Sequence, residues 1–144
     1  MYIIYALLGA VMASLGTIFA KLGLKGLDSN LLTAIRGIVM AFVVVAFAFS
    51  YGKISLNTLS SLTQKQWLYV ILSGLAGALS WLFFYHALSF GPTISVTVID
   101  KLSLVITAVL AVIILNEGIT IQSGLGLLLV VIGTLLVAIP KIFF

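Results

Sequence analysis

The charged residues of this chain are few and bunched, and long apolar stretches separate them. No charge occurs in Met1–Ala20, Gly37–Gly52, Gln66–Ile99, Leu102–Asn116 or Gly118–Pro140. A run of about 18 or more mostly apolar residues is long enough to cross the ~30 Å hydrocarbon core of a bilayer as a helix. A soluble core needs no series of such runs, and a soluble surface needs more than the 7% of charged residues found here. The runs do not alternate polar and apolar residues, which excludes a transmembrane β-barrel. The expected architecture is therefore all-α: a polytopic membrane protein with five transmembrane helices. The first run lacks a basic leader and is longer than a signal-peptide core, so it reads as a retained helix.

Turn and cap chemistry divides the chain into helices at about 2–20, 31–51, 67–88, 92–115 and 120–139, within a single domain over 1–144. Gly26 to Asn30, with Asp28 and Ser29, supplies the turn and N-cap of the second helix. Thr63 and Gln66 have capping-box spacing ahead of the third. Leu56, Leu59 and Leu62 recur every three residues in the polar loop between, which suits a short interfacial helical turn. Pro92 suits the first turn of the fourth helix, Gly118 its stop, and Thr120 the N-cap of the fifth. Pro140 and Lys141 close the last helix at the interface. Small residues recur every four positions at Gly9, Ala13 and Thr17, at Ser73 and Gly77, and at Gly74 and Ala78, a spacing expected to serve packing within the bundle.

Five crossings put the termini on opposite sides. Lys53 and Lys65 flank the helices on the N-terminal side, against Lys21, Lys25 and Lys141 on the other. Two against three is a weak positive-inside signal, compatible with insertion in both directions. The net charge of +4 follows from such flanking lysines and needs no nucleic acid.

Charge within a span is costly and marks function by default. Arg36 falls about five residues, or roughly 8 Å, into the second helix. Asp100 falls about eight residues, or roughly 12 Å, into the fourth from the same side, so the two are expected to pair. Lys101 points about 100° away from Asp100. Thr93, Thr97, Ser103 and Thr107 all lie within about 60° of Asp100 on a helical wheel. That stripe fits a water-lined path or substrate cavity. It also fits hydroxyls bonded back to their own helix around a charge that only neutralises Arg36. Ser14, Thr17 and Lys21 form a polar edge on the first helix. Trp81 and Tyr85, one turn apart on the third, suit either a pocket wall or a core. His86 reads as a packing histidine rather than a proton relay, and Glu117 as a solvated turn residue. With no cysteine and one histidine, no metal or thiol chemistry is expected. Nor is an enzyme or a cofactor: no acid pair or nucleophile–base pair stands out.

Several segments together carry a resemblance: Ala20 to Gly26, Thr33 to Arg36, Tyr85 to Pro92, Ile99 to Ser103, and Leu115 to Thr120. In order and spacing the chain resembles the EamA-type domain of the drug/metabolite transporter superfamily, in particular its short five-helix bacterial and archaeal members. Asn116 stands where that family's glycine–glutamate turn has glycine. The resemblance implies one half of a ten-helix inverted-repeat transporter fold, with alternating access between two halves. It implies a small-molecule substrate, a multi-pass place in a bacterial or archaeal plasma membrane, and a second, inverted copy as partner. The expected pathway residues are Ser14, Thr17, Arg36, Trp81, Tyr85, Thr97, Asp100, Lys101, Ser103 and Thr107. The competing expectation is an accessory membrane subunit that packs against another protein and transports nothing itself. The excess of buried basic groups points mildly to an anionic or amphipathic solute.

Overall fold

A computed structural model describes residues 2–52 and 60–138. Lys53, Leu56, Leu59, Pro140 and Lys141 lie outside these, and with them the expected interfacial turn and the closing lysine. The described residues are all-helical, without a strand. The helices are α1 (Tyr2–Gly23), α2 (Ser29–Ser50), α3 (Gln64–Phe90), α4 (Thr93–Asp100), α5 (Leu102–Leu115) and α6 (Ile121–Ala138). They make five spans, because α4 and α5 run on through Thr93–Leu115 as one.

The helix starts follow local chemistry. The Asp28 carboxylate accepts the backbone N–H groups of Asn30 at 2.9 Å and Leu31 at 3.1 Å, which caps α2. Thr63 and Gln66 close a reciprocal capping box: the Gln66 N–H donates to Thr63 Oγ1 at 3.3 Å and the Thr63 N–H to Gln66 Oε1 at 2.8 Å. The Ser123 N–H donates to Thr120 Oγ1 at 3.2 Å at the start of α6.

Two details differ from the sequence reading. Asn116, not Gly118, stops α5: it takes a left-handed conformation with φ 54° and ψ 33°, and its N–H returns to the Ala111 carbonyl. Asparagine is among the few non-glycine residues that visit this region readily. The expected single helix over 92–115 is also interrupted at Lys101. There the Lys101 N–H bonds to the Val98 carbonyl at 3.1 Å and the Leu104 N–H to the Lys101 carbonyl at 3.0 Å, a tight three-residue pattern. Such a turn advances faster than 100° per residue, so α5 is rotated from the unbroken wheel. Thr93, Thr97 and Asp100 are half-buried, whereas Ser103 and Thr107 are exposed.

The chain forms two compact units, residues 1–89 and 90–144. In the first, the buried residues are Ala20, Ser29, Leu32, Thr33, Tyr85 and Leu88. They sit at the end of α1, the start of α2 and the end of α3, which is one end of the three helices. Phe42, Phe47, Tyr69 and Phe83 are exposed, as lipid-facing side chains are. Gly9, Gly74 and Gly77 have open space where a Cβ would stand, so the expected close packing at these glycines is not made within the first unit. It is Gly16 and Gly23 whose missing side chains admit neighbours, Arg36 and Leu32. In the second unit, α4 and α5 both pack on α6. Thr134 is buried there, donating to the Val130 carbonyl at 2.8 Å and lying 3.4 Å from that of Val98.

Candidate functional site

Arg36 organises the buried end of the first unit. Its guanidinium carbon lies 4.9 Å from the Tyr85 ring centroid and 5.5 Å from that of Trp81. These rings are one turn apart on α3, and their electron-rich faces attract a cation most strongly where water is scarce. Tyr85 is 3% exposed and meets Phe84 edge-to-face at 5.2 Å. On the α1 side the absent Cβ of Gly16 would stand 3.3 Å from Arg36 Nη2, so glycine leaves the guanidinium room. The frame around it is polar. Lys21 donates to the Leu88 carbonyl, one of the acceptors that the end of α3 leaves open. Ser29 Oγ approaches His86 Nδ1 at 3.4 Å, and Thr33 donates to the Ser29 carbonyl at 2.7 Å.

Two clefts of ≈340 Å³ each flank α2 at this level. The α1–α2 cleft is apolar (Phe19, Ala20, Leu27, Leu32, Ile35) except for Arg36. The α2–α3 cleft includes Asn30, Thr33, Ala78 and Trp81. Within the first unit no carboxylate pairs with Arg36; in the second, Lys101 pairs with Asp100 at 3.3 Å, with side chains 52% and 36% exposed.

The remaining expected pathway residues divide by surroundings. Ser14 and Thr17 donate back to the carbonyls of Ala10 and Ala13, so their hydroxyls are bonded within α1. Thr97 Oγ1 is buried and has no hydrogen-bond partner among the described residues. Asp100 and Lys101 sit at the interruption of the fourth span. Pairing of Arg36 with Asp100 would join residues of the two units and stands as an expectation from sequence.

A charged, aromatic-framed site within a set of membrane-length helices agrees with what comparison returns. Residues 1–139 match the EamA-like transporter family. This chain belongs to that family. It is 36% identical over 135 residues to an uncharacterized transporter encoded in the cobO 3' region of a Sinorhizobium species, covering 94% of each chain. It is 29% identical over 141 residues to an uncharacterized protein of Methanocaldococcus jannaschii, covering 96% of this chain and 97% of that one. No solved structure matches it significantly. The EamA-like chain is thus a membrane transporter and a multi-pass membrane protein.

Sequence reasoning missed several residues of this EamA-like site. Gly16 and Gly23 are seven apart, two helical turns, which was a signal that one face of α1 admits a neighbour. Leu32, Thr33 and Thr134 gave none, since a threonine in an apolar helix reads alike whether buried or lipid-facing. The bond from Lys21 to Leu88 joins residues 67 apart and leaves no local pattern.

Proposed function

We propose that this EamA-like protein is a secondary transporter that moves a small metabolite or drug-like solute across the plasma membrane by alternating access, as a homodimer with its two copies inverted. The observation that carries this reading is the half-buried Arg36, framed by aromatic rings and open to an apolar cleft. A permanent structural charge in a membrane helix is ordinarily neutralised or snorkels out. A solute site needs a charge held in place and left available. The interruption of the fourth span at Lys101 supports the same reading, because broken helices border the binding sites of many carriers. The dimer is supported by the open faces beside Gly9, Gly74 and Gly77, and by the near-even flanking charge. Both relatives are matched over 94% or more of their lengths, so chains of this size recur in the family.

Single cysteines at Lys25 and Lys65, introduced into a chain that has no cysteine, test the inverted pair. An impermeant thiol reagent applied to intact cells is expected to label both positions in part. Full labelling of one position and none of the other means that every copy faces the same way, and the inverted pair is then wrong. Transport is tested by solute flux into proteoliposomes holding the purified chain alone. If co-purification instead yields a fixed foreign membrane subunit, and no flux occurs without it, the chain is an accessory subunit.

A further inference from the structure

We propose that Arg36 is the recognition site for the anionic group of an amphipathic organic anion, a small carboxylate whose apolar body lies in the α1–α2 cleft. The inference deepens the transporter reading and rests on it for the reason such a solute would be held there. Trp81 and Tyr85 meet the charge of the guanidinium through their rings, which are not carboxylate partners for its N–H donors. Those donors form a fork that matches a carboxylate in two parallel hydrogen bonds. Within the first unit no acid and no hydrogen-bond acceptor meets that fork, although burial makes an unmet cation costly. Gly16 keeps the α1 side of the guanidinium free of a side chain.

The cleft sets the rest of the ligand. Phe19, Ala20, Leu27, Leu32 and Ile35 line it and offer no charged or amide group. It therefore suits a short hydrocarbon body rather than a sugar or a polyanion. One cation meets one negative charge, so the ligand class is the monoanion with an apolar tail. A lipid headgroup phosphate carries related chemistry, and the experiment separates that source from a soluble solute.

Trp67→Phe leaves Trp81 as the sole tryptophan and a fluorescence reporter beside Arg36. Purified protein in an uncharged detergent is titrated with cyclohexanecarboxylate and with cyclohexanecarboxamide, which has nearly the same shape and no charge. The carboxylate is expected to change Trp81 emission saturably. The carboxamide should bind roughly 10- to 100-fold more weakly, the range set by charge-assisted hydrogen bonds. Arg36→Gln should erase the preference. Arg36→Lys, which keeps the charge should the first variant fold poorly, should retain the preference with weaker binding. Equal responses to the two compounds, no saturable response to the carboxylate, or a preference that survives Arg36→Gln overturns the proposal. A response to added phosphatidylglycerol alone assigns Arg36 to lipid and overturns it as well. If proteoliposomes move another solute while the carboxylate does not bind, the anion site fails and the transporter reading stands. If the carboxylate binds through Arg36 and no solute is moved, the reverse holds.

Discussion

The two units handle charge within the membrane in opposite ways. In α1–α3 the Arg36 cation lies against two rings, while Lys21 and Ser29 reach α3 at the Leu88 carbonyl and His86, and Thr33 bonds back to the Ser29 carbonyl of its own helix. In α4–α6 an acid and a base, adjacent in sequence, pair with each other and remain partly exposed. The first arrangement holds a charge beside two aromatic rings. The second neutralises a charge locally at a place where the helix is interrupted.

The sharpest break in that comparison is to remove the cradle. Replacing Trp81 and Tyr85 together by leucine strands the Arg36 guanidinium among apolar groups. The expected loss of stability is roughly 2–4 kcal/mol, since a desolvated cation–π contact is worth about 2 kcal/mol. Adding Arg36→Leu should recover part of that loss, because the uncompensated charge goes with it. Unfolding titrations in mixed micelles with sodium dodecyl sulfate read all three variants. If the triple variant is no more stable than the double, the rings serve packing and not the cation.

A smaller effect is expected at the end of α5. Asn116 holds φ 54°, a region where a Cβ costs about 1 kcal/mol and glycine costs nothing. Asn116→Ala should therefore lower stability by about 1 kcal/mol, and Asn116→Gly should leave it unchanged or raise it slightly. Equal stabilities for the alanine and glycine variants would mean that the turn is reshaped when asparagine is lost.

What the sequence disclosed follows from the range of each interaction. The caps at Asp28, Thr63 with Gln66, and Thr120 are set by residues within three positions, and they form where turn chemistry predicts them. The five spans follow from unbroken apolar length. The interruption at Lys101 was hidden because Thr93–Leu115 has neither glycine nor proline to announce it. Arg36 was marked by its cost in an apolar run, but its partners were not. Trp81 and Tyr85 lie more than forty residues away, and periodicity says only that they share a face. The hydroxyl stripe shows the same limit from the other side. Thr97, before the turn at Lys101, is half-buried and Ser103 and Thr107, after it, are exposed, a difference that helical periodicity does not give.

The smallest expected effect concerns Asp100 and Lys101, and it tests what their exposure means. An exposed polar pair within a span faces either lipid or water. Facing lipid, a lone lysine at a helix centre costs about 2.5–3.5 kcal/mol, so Asp100→Asn would be severe. Facing a water-filled path, the pair is screened and worth ~0–1 kcal/mol, as surface ion pairs generally are. Two observations favour water. Thr97 Oγ1, one turn before Lys101, is buried without a partner among the described residues, and a buried hydroxyl left so is normally met by an ordered water. The backbone also departs from α-helical bonding at Lys101, which at membrane depth is tolerated where protein or a water-filled cavity lies alongside. Asp100→Asn should therefore shift stability by less than ~0.5 kcal/mol, far below the loss of the aromatic cradle. Single cysteines at 97 and 100 should react with a water-soluble thiol reagent faster than cysteines at Ile106 or Val109. A large loss of stability together with equal labelling at all four positions would place Asp100 and Lys101 against lipid.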